Sequence, residues 1–372
     1  MMYLDNSATS RRKPISVYGS LLRNTLFNSA NAGRGSNPKS LKALKTVVAA
    51  QEAVAELINA DNPLNIAFVP NATLALNMVI LGMEGHIAVT QMDHNSVLRP
   101  AFKHGNYSVA AADKTGYVSA AEVERILRPD TRLIVCTHAS NVCGTIEPIA
   151  EIGALAKSRG ILFMADAAQT IGCARVDVKE MNADFLAFSG HKGLMAPLGT
   201  GALYVRDENT LNAVITGGTG SRSESLAQPS QMPELLHAGT LNVPAIAAMS
   251  EAAKFIMRHG AEAIGEAERE IANKLAEELK NMNGVTVYGR EERTGAVAFN
   301  IDGIGSAEAA ELINPYAAVR SGYHCAPMAH KALGTYGTGA VRASFGFYSR
   351  KRDAAKFADI VRRAVRTARQ GR

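Results

Sequence analysis

The sequence predicts an α/β protein with a mostly parallel central sheet and a smaller α+β part. Short apolar runs recur along the first part of the chain without strict polar alternation, which is typical of strands buried on both faces of a parallel sheet. Segments with helical spacing lie between these runs, as crossovers between parallel strands require. The chain has 372 residues, 47% of them hydrophobic, so it can bury one large core and a second, smaller one.

Six apolar runs are the predicted strands of the central sheet, and helical segments separate several of them. The strands are 66–70, 86–90, 132–138, 161–167, 184–188 and 201–205. The helices are 39–59, 72–81, 119–127 and 149–158. This alternation predicts a single large α/β domain.

The pattern changes after residue 245. A long helical tract, two strands, a short helix, a loop with glycine and histidine, and a basic terminal helix follow at 246–281, 285–289, 296–301, 306–313, 320–340 and 349–372. Such an order is typical of an α+β domain. We therefore predict a large domain of residues 16–245 and a small domain formed by residues 1–15 and 246–372.

The formal net charge of +6 is concentrated at the C-terminal end of the chain. Residues 349–372 hold nine Lys or Arg against two Asp, a local charge of +7, so the rest of the chain sums to −1. Apolar residues such as Phe357, Val361 and Val365 recur there at helical spacing. We interpret the segment as a docked amphipathic helix with a solvated basic face, rather than as a site for an acidic partner, and nucleic acid is not a predicted partner.

The sequence also limits the cellular setting. No stretch approaches the ~18 consecutive apolar residues of a membrane span, and the N-terminus lacks the layout of a signal peptide. The four cysteines show no CxxC pair or metal-ligand spacing, which argues against disulfides and against a metal site. We expect a cytoplasmic protein without a membrane partner.

Polar residues follow each predicted strand, at the edge where parallel α/β sheets bind ligands. They are Asn71, Ala72 and Thr73; Asp93, His94 and Asn95; Ser140 and Asn141; Asp166 and Gln169; and Ser189, His191 and Lys192. Taken singly, Asn71 or Asp166 could simply cap a helix, and His94 could be a satisfied loop histidine. Together they supply an amine, a carboxylate, a flat ring and phosphate donors, which are the groups that pyridoxal phosphate needs.

Several motifs carry a resemblance to a known family. They are MYLDNSATS at 2–10, NAGRGSNP at 31–38, ADAAQTIG at 165–172, SGHK at 189–192, HAGTLN at 237–242, RSGYHCAP at 320–327 and VRASFGFY at 341–348. In this order, and over nearly the whole chain, they resemble the class V aminotransferase superfamily. More narrowly, they resemble the cysteine desulfurases, on the branch that includes SufS-like enzymes and selenocysteine lyases. The resemblance implies a homodimeric, pyridoxal-phosphate-dependent enzyme of fold type I.

The resemblance implies a role for each matching residue. Lys192 would hold the cofactor covalently and later move a proton, and Asp166 would pair with the pyridinium nitrogen. Gln169 would bond the ring hydroxyl, His94 would stack on the ring, and Asn141 would lie near the substrate and the ring oxygen. The implied phosphate donors are Ala72 through its backbone, Thr73, Ser189, His191 and, from the other subunit, Thr240. Arg342 would bind the substrate carboxylate, and Cys325 would receive sulfur.

The residues around each cysteine also favour Cys325 as the reactive thiol. His324 and the more distant Arg320 give its loop a polar, cation-containing character that favours the thiolate. Cys136 and Cys173 have the sequence surroundings of small apolar core residues. Cys143 lies near the site but has no cation among its sequence neighbours. One departure concerns Tyr323, which stands where SufS-like relatives usually carry a histidine.

The implied reaction converts L-cysteine to L-alanine, leaves a persulfide on Cys325 and passes the sulfur to an acceptor protein. A selenocysteine lyase, or another class V lyase or transaminase, would share the same cofactor residues and stays an alternative. A nicotinamide-dependent dehydrogenase would need a GxGxxG turn after an early strand, and the sequence has none. A non-catalytic role is disfavoured because Lys192, Asp166 and Cys325 are all present.

Overall fold

The computed structural model describes residues 1–33, 35 and 37–370, so Arg34 and Ser36 of the NAGRGSNP motif and the terminal Arg372 lie outside the described residues. The strands are β1 (Met2–Tyr3), β2 (Ile66–Val69), β3 (His86–Thr90), β4 (Tyr107–Ala110), β5 (Thr131–Thr137), β6 (Leu162–Asp166), β7 (Phe185–Ser189), β8 (Gly201–Val205), β9 (Val285–Tyr288), β10 (Ala296–Ile301), β11 (Ala317–Ala318), β12 (Arg320–Gly322) and β13 (Ala340–Ser344).

The helices lie between these strands and on both sides of the main sheet. They are α1 (Ile15–Phe27), α2 (Pro38–Leu57), α3 (Ala72–Gly82), α4 (Asn95–His104), α5 (Ala120–Glu124), α6 (Ile149–Ser158), α7 (Val243–His259), α8 (Ala261–Lys280), α9 (Ser306–Ile313), α10 (Pro327–Ala332) and α11 (Lys351–Gln370).

The central sheet has seven strands in the order β2-β8-β7-β6-β5-β3-β4, which confirms the predicted mostly parallel α/β fold. Only β8 runs against its neighbours, β7 and β2, while the other pairings are parallel. No helix is found in the segment 190–200 between β7 and β8, so the chain returns directly beside the strand it has just left. Antiparallel neighbours permit such a connection, whereas parallel ones require a crossover.

The six predicted strands of this sheet are confirmed to within one residue at each end. The prediction omitted β4, in which three of the four residues are only partly buried. The predicted helix at 246–281 is two helices, because the chain breaks at Gly260, which takes a left-handed φ of 78° between α7 and α8. The predicted loop at 320–340 also contains the strand β12 and the helix α10.

A second sheet, β12-β13-β10-β9, is antiparallel and belongs to the C-terminal part of the chain. Leu4 from the N-terminal segment packs in the same apolar cluster as Phe299 and Val341, so the first residues join this part, as expected from a shared core. The helix α7, in contrast, packs against α1 and α2, which precede the central sheet in the chain. The domain bounds of 16–245, and of 1–15 with 246–372, stay a prediction.

The terminal helix α11 is amphipathic and docked, as predicted. Phe357, Val361 and Val365 are buried in the C-terminal cluster, while Arg362 and Arg366 are exposed. Among the described residues, no helix combines the length and apolarity needed to cross a membrane. Within the same residues, no cluster of three or more His, Cys, Asp or Glu side chains could hold a metal ion.

Candidate active site

Lys192 lies in the turn that follows β7. Two backbone bonds shape this turn: Gly190 N–H donates to the Thr200 carbonyl at 2.7 Å, and Ala196 N–H donates to the Gly190 carbonyl at 2.8 Å. A side chain at position 190 would meet Thr200 Oγ1 at 2.3 Å, so the close approach requires glycine there. The N-terminal segment fastens the outside of the turn, because Ser10 N–H donates to the His191 carbonyl at 2.9 Å.

Asp166 ends β6, beside the strand that leads to Lys192. Its carboxylate is buried and accepts the Ala168 N–H at 2.9 Å. Burial raises the pKa of Asp166, opposed by the Ala168 hydrogen bond and by Lys192. Burial also lowers the pKa of Lys192 to about 8, opposed by Asp166. The sheet therefore brings together an acid and a base whose charges stabilise one another.

His94 caps the N-terminus of α4, the helix that follows β3. Its Nδ1 accepts the Ser96 N–H at 3.0 Å and contacts Ser96 Oγ at 2.8 Å. Burial, followed by Lys192 and then by Arg99 and Arg342, lowers the pKa of His94 to about 4, so the ring is neutral at pH 7. Because Nδ1 accepts, the ring proton lies on Nε2. His94 is thus both a cap and an uncharged flat ring in the field of Lys192.

The expected phosphate donors gather at the N-terminus of α3. Ser189 Oγ accepts the Ala72 N–H at 2.9 Å, which joins the end of β7 to the first residue of this helix. That bond occupies the Ala72 donor that the sequence assigned to phosphate, while Thr73 next to it is exposed. A helix N-terminus attracts anions because its first N–H groups have no intrahelical partner.

Thr240 and Lys192 line different cavities of the chain. It is exposed and lines a cavity of about 210 Å³ with Pro70 and His237. Gln169, in contrast, lines the same cavity as Lys192, and its Nε2 donates to the Ser7 carbonyl at 3.1 Å. The single chain therefore brings Gln169 to the lysine turn.

Two hydrogen bonds attach the Cys325 loop to the residues around the sheet edge. Asn141 Nδ2 donates to the His324 carbonyl at 2.6 Å, and Asn95 N–H donates to the Cys325 carbonyl at 2.7 Å. Both His324 and Cys325 have left-handed φ angles, 50° and 57°, which are costly for residues with a Cβ. Cys325 is exposed, whereas the other three cysteines are buried.

His324 does not supply a positive charge to this loop, contrary to the expectation from sequence. Burial, reinforced by the charges of Arg342 and His330, lowers the pKa of His324 to about 2, so the imidazole is neutral. The cations near Cys325 are an arginine and a lysine. Both Arg320 and Lys192 lie within electrostatic reach of its thiol.

Arg342 is 2% exposed and is held on two sides. Its Nη1 donates to the Asn141 carbonyl at 2.5 Å, and its Nη2 donates to Asp5 Oδ1 at 2.9 Å. Asp5 also accepts from Arg320, through Nη2 at 2.9 Å, because Arg320 and Arg342 are register partners on β12 and β13. Sequence reasoning missed Asp5, although it lies within the MYLDNSATS motif.

The fold also places a cation beside Cys143, which has none among its sequence neighbours. Arg293 pairs with Thr145 in an isolated β-bridge and is 1% exposed, and its three guanidinium nitrogens have no hydrogen-bond partner among the described residues. The charge of Cys143 acts on Arg293 and opposes the lowering of its pKa that burial causes. Cys143 itself is fully buried, so Cys325 stays the accessible thiol.

Three features together indicate one class of enzyme. They are this fold, a lysine in the turn after one strand, and a buried aspartate at the end of the neighbouring strand. Residues 2–357 match the family Aminotransferase class-V, and the chain belongs to this family. Within it, the chain belongs to the cysteine desulfurases, as three comparisons show.

A probable cysteine desulfurase of Pyrococcus abyssi is 32% identical over 99% of this chain and 95% of its own length. The apo structure of the cysteine desulfurase of Thermococcus onnurineus NA1 matches with a TM-score of 0.91 and 32% identity, over 98% of this chain and 95% of that one. The cysteine desulfurase CsdA of Escherichia coli, in an S-sulfonic acid form, matches with a TM-score of 0.87 and 25% identity, over 98% and 94%.

The family implies pyridoxal phosphate, and the residues present fit this cofactor. Asn141 Oδ1 and His191 Nδ1 are buried and have no hydrogen-bond partner among the residues that the structure describes, so each can serve a further polar group. Lys192 has the lowered pKa that an amine needs to react with an aldehyde near neutral pH. Asp166 is a buried carboxylate suited to a ring nitrogen that carries a proton.

Proposed function

We propose that this protein takes sulfur from L-cysteine, releases L-alanine and carries the sulfur as a persulfide on Cys325 until an acceptor protein removes it. The observation that carries the proposal is the attachment of the Cys325 loop to the lysine site. Asn141 and Asn95, which both follow strands of the central sheet, each bond a carbonyl of this loop. An exposed thiol is thereby held beside the residues expected to bind cofactor and substrate.

Bound pyridoxal phosphate supplies an electron sink for the carbanion at the substrate Cα. Lys192 would hold it, Asp166 would face its ring nitrogen, His94 would lie against its ring, and Gln169 and Asn141 would meet its ring oxygen. The phosphate side is formed by Ala72, Thr73, Ser189 and His191, with Thr240 of a second subunit. Because the Ala72 N–H donates to Ser189 Oγ, these two residues would serve the phosphate jointly and not as two separate donors.

Arg342 would bind the carboxylate of the substrate. Its guanidinium is buried, and its orientation is fixed by the Asn141 carbonyl and by Asp5. A fixed planar guanidinium suits a carboxylate, which accepts two parallel hydrogen bonds. The Nε of Arg342 is buried and has no partner within the described part of the chain, so the side chain retains a donor for such a ligand.

Lys192 and Cys325 would move the proton and the sulfur. The pKa of Lys192 is about 8, so at neutral pH a useful fraction of its amine is neutral and can accept the proton from Cα. The Cys325 thiolate would then attack the substrate sulfur. A new S–S bond forms as the Cβ–S bond breaks, and the electron pair stays with Cβ. L-alanine results once Cβ takes one proton and Cα takes back the proton that Lys192 removed.

We further propose that the active unit is a cytoplasmic homodimer. Exposed apolar side chains lie at helical spacing on α1, at Ile15, Tyr18, Leu22 and Leu26, and this stripe supports a second copy as partner. Three buried, unpaired cysteines support a reducing compartment.

The decisive experiment replaces the proposed sulfur carrier. Cys325→Ala should bind the cofactor with an unchanged absorbance spectrum, yet lose turnover of L-cysteine. In the wild-type protein, substoichiometric L-cysteine without reductant should add the mass of one sulfur to the peptide containing Cys325. Cys143→Ala is the matched control, because that thiol is fully buried.

The outcomes separate the desulfurase from its alternative. Selenium leaves more readily without nucleophilic help, so Cys325→Ala that retains activity only on selenocysteine would indicate a selenocysteine lyase. Full desulfuration of L-cysteine by Cys325→Ala, or sulfur found only on Cys143, would reject Cys325 as the carrier.

A further inference from the structure

The left-handed backbone at His324 and Cys325 needs support from outside the loop. Two consecutive residues with positive φ cost free energy, because each Cβ crowds the following carbonyl. Asn141 and Asn95 bond the two carbonyls, and Ala326 N–H closes a turn on the Tyr323 carbonyl at 2.8 Å. These bonds restrain the three carbonyls, whereas the orientation of the His324 ring depends on other partners.

A chain of polar contacts runs from the His324 ring into the interior. His324 Nε2 lies 3.5 Å from the Arg320 carbonyl, and His324 Nδ1 lies 3.5 Å from His330 Nε2. His330 Nδ1 lies 2.7 Å from Thr335 Oγ1. The two imidazoles are stacked, with centroids 5.6 Å apart and an angle of 13° between planes. His330 is fully buried and Thr335 nearly so.

The Arg320 carbonyl at one end of this series of contacts sets the donor and the acceptor in each hydrogen bond. Both rings are neutral, because burial, as the main cause, lowers the pKa of His324 to about 2 and that of His330 to about 4. A carbonyl only accepts, so His324 Nε2 carries the proton and its Nδ1 must accept. His330 Nε2 therefore donates to His324, and Thr335 Oγ1 donates to His330 Nδ1.

His330 also receives support from the same loop on its other side. The Tyr323 ring lies edge-on to the His330 ring, with centroids 5.3 Å apart and an angle of 83°. The Tyr323 carbonyl acts on His330 as a hydrogen-bond acceptor would, opposing the effect of burial on its pKa. Tyr323 and His324, the two residues just before Cys325, thus both lie against the His330 ring.

We propose that His330 is a positioning residue for Cys325, because its N–H holds the His324 ring and so maintains the left-handed backbone that presents the thiol. The inference rests on the proposed function of Cys325 and assigns to it a support that lies five residues further along the chain, in α10. Since both rings are neutral, His330 acts through hydrogen-bond geometry and not through its charge.

The test compares two substitutions that differ in which contact they retain. His330→Gln keeps a donor near the position of Nε2, so it should retain the bond to His324. His330→Asn keeps an acceptor near the position of Nδ1, so it should retain only the contact with Thr335. We expect His330→Asn to lower kcat for L-cysteine about tenfold while KM changes less than about threefold, and His330→Gln to stay within about threefold of wild type in both.

A second readout reports the His324 ring itself. In protein labelled with ¹⁵N-histidine, the wild-type His324 should show a single Nε2–H tautomer, which His330→Asn should lose and His330→Gln should retain. Thr335→Val removes the far end of the chain without changing either ring, and it should lower kcat in the same direction. If His330→Asn does not fold, Thr335→Val decides the question. His104→Asn, at the far end of α4, is the control for loss of a histidine.

Two results would overturn the proposal. One is a wild-type kcat in His330→Asn, or in Thr335→Val if His330→Asn does not fold. The other is equal loss of kcat in His330→Asn and His330→Gln, which would indicate a role in packing alone. Failure of the proposed function is separate, because it would show as cysteine turnover by Cys325→Ala whatever the His330 variants do.

Discussion

Arg342 Nη2 donates a hydrogen bond to Asp5 Oδ1 at 2.9 Å, which joins two residues 337 positions apart in the chain. The same carboxylate accepts from Arg320, so one anion serves two guanidinium groups. Arg342 is buried and Arg320 is half exposed, so the bond to Arg342 has the larger energetic effect. The N-terminal segment thereby helps to orient the residue proposed to bind substrate.

Asp5→Asn should therefore destabilise the protein and increase its response to ligand. Removing the carboxylate leaves the Arg342 charge buried without an anion, which should lower the free energy of unfolding by about 3 kcal/mol. L-alanine, whose carboxylate can replace that anion, should raise the thermal midpoint of the variant more than that of wild type. Thermal unfolding with and without L-alanine measures both effects. A variant with wild-type stability would show that Asp5 does not compensate Arg342.

Arg342→Ala should raise KM for L-cysteine while leaving the cofactor spectrum intact. A charge-assisted hydrogen bond contributes about 1.5–3 kcal/mol, so KM should increase roughly ten- to a hundredfold. Arg320→Ala is the matched control, since it loses the same partner from an exposed position and should raise KM less. Steady-state kinetics on both variants provide the measurement, and an unchanged KM in Arg342→Ala would remove Arg342 from the substrate site.

Apo protein should take up pyridoxal phosphate faster as pH rises through about 8. The neutral amine is the reactive form, and burial lowers the pKa of Lys192 to about 8, so the neutral fraction grows through that pH and levels off above it. A lysine with the ordinary pKa of 10.5 would show the rise near that pH instead. Stopped-flow absorbance records the rate.

Borohydride reduction and peptide mapping should then place the pyridoxyl mass on Lys192. Lys13 is the matched alternative, because burial also lowers its pKa to about 8 and it lies against the same turn, donating to the His191 carbonyl at 3.3 Å. A pyridoxyl mass on Lys13 would contradict the assignment of Lys192.

Mixed dimers can test whether Thr240 serves the site of the other subunit. Lys192→Ala and Thr240→Ala proteins should each bind the cofactor poorly as homodimers. In a mixed dimer, the Thr240→Ala subunit keeps its own Lys192 and receives Thr240 from its partner, so one site of two should regain wild-type retention of pyridoxal phosphate. Absorbance after dialysis measures this. Retention no better than in the parent homodimers would place Thr240 in its own site or in none.

Much of the sheet and most candidate site residues could be predicted because they depend on local pattern. Apolar runs such as 161–167 predict strands, and a polar residue after each run lies at the ligand-binding edge by topology alone. The predictions were wrong where a glycine break or a short helix interrupts the pattern. The predicted long helix at 246–281 breaks at Gly260, and a predicted loop contains α10 with His330.

The sequence by itself determined the α/β class, six of the seven strands of the central sheet, and the order of Asp166, Lys192 and Cys325 along the chain, since each depends on residue type and spacing. Only the tertiary structure decided which charges meet. Burial makes His324 neutral, Asp5 pairs with Arg342, and Arg293 lies near Cys143. These partners are far apart in sequence, and pKa shifts depend on desolvation and on distances that exist only after the chain has folded.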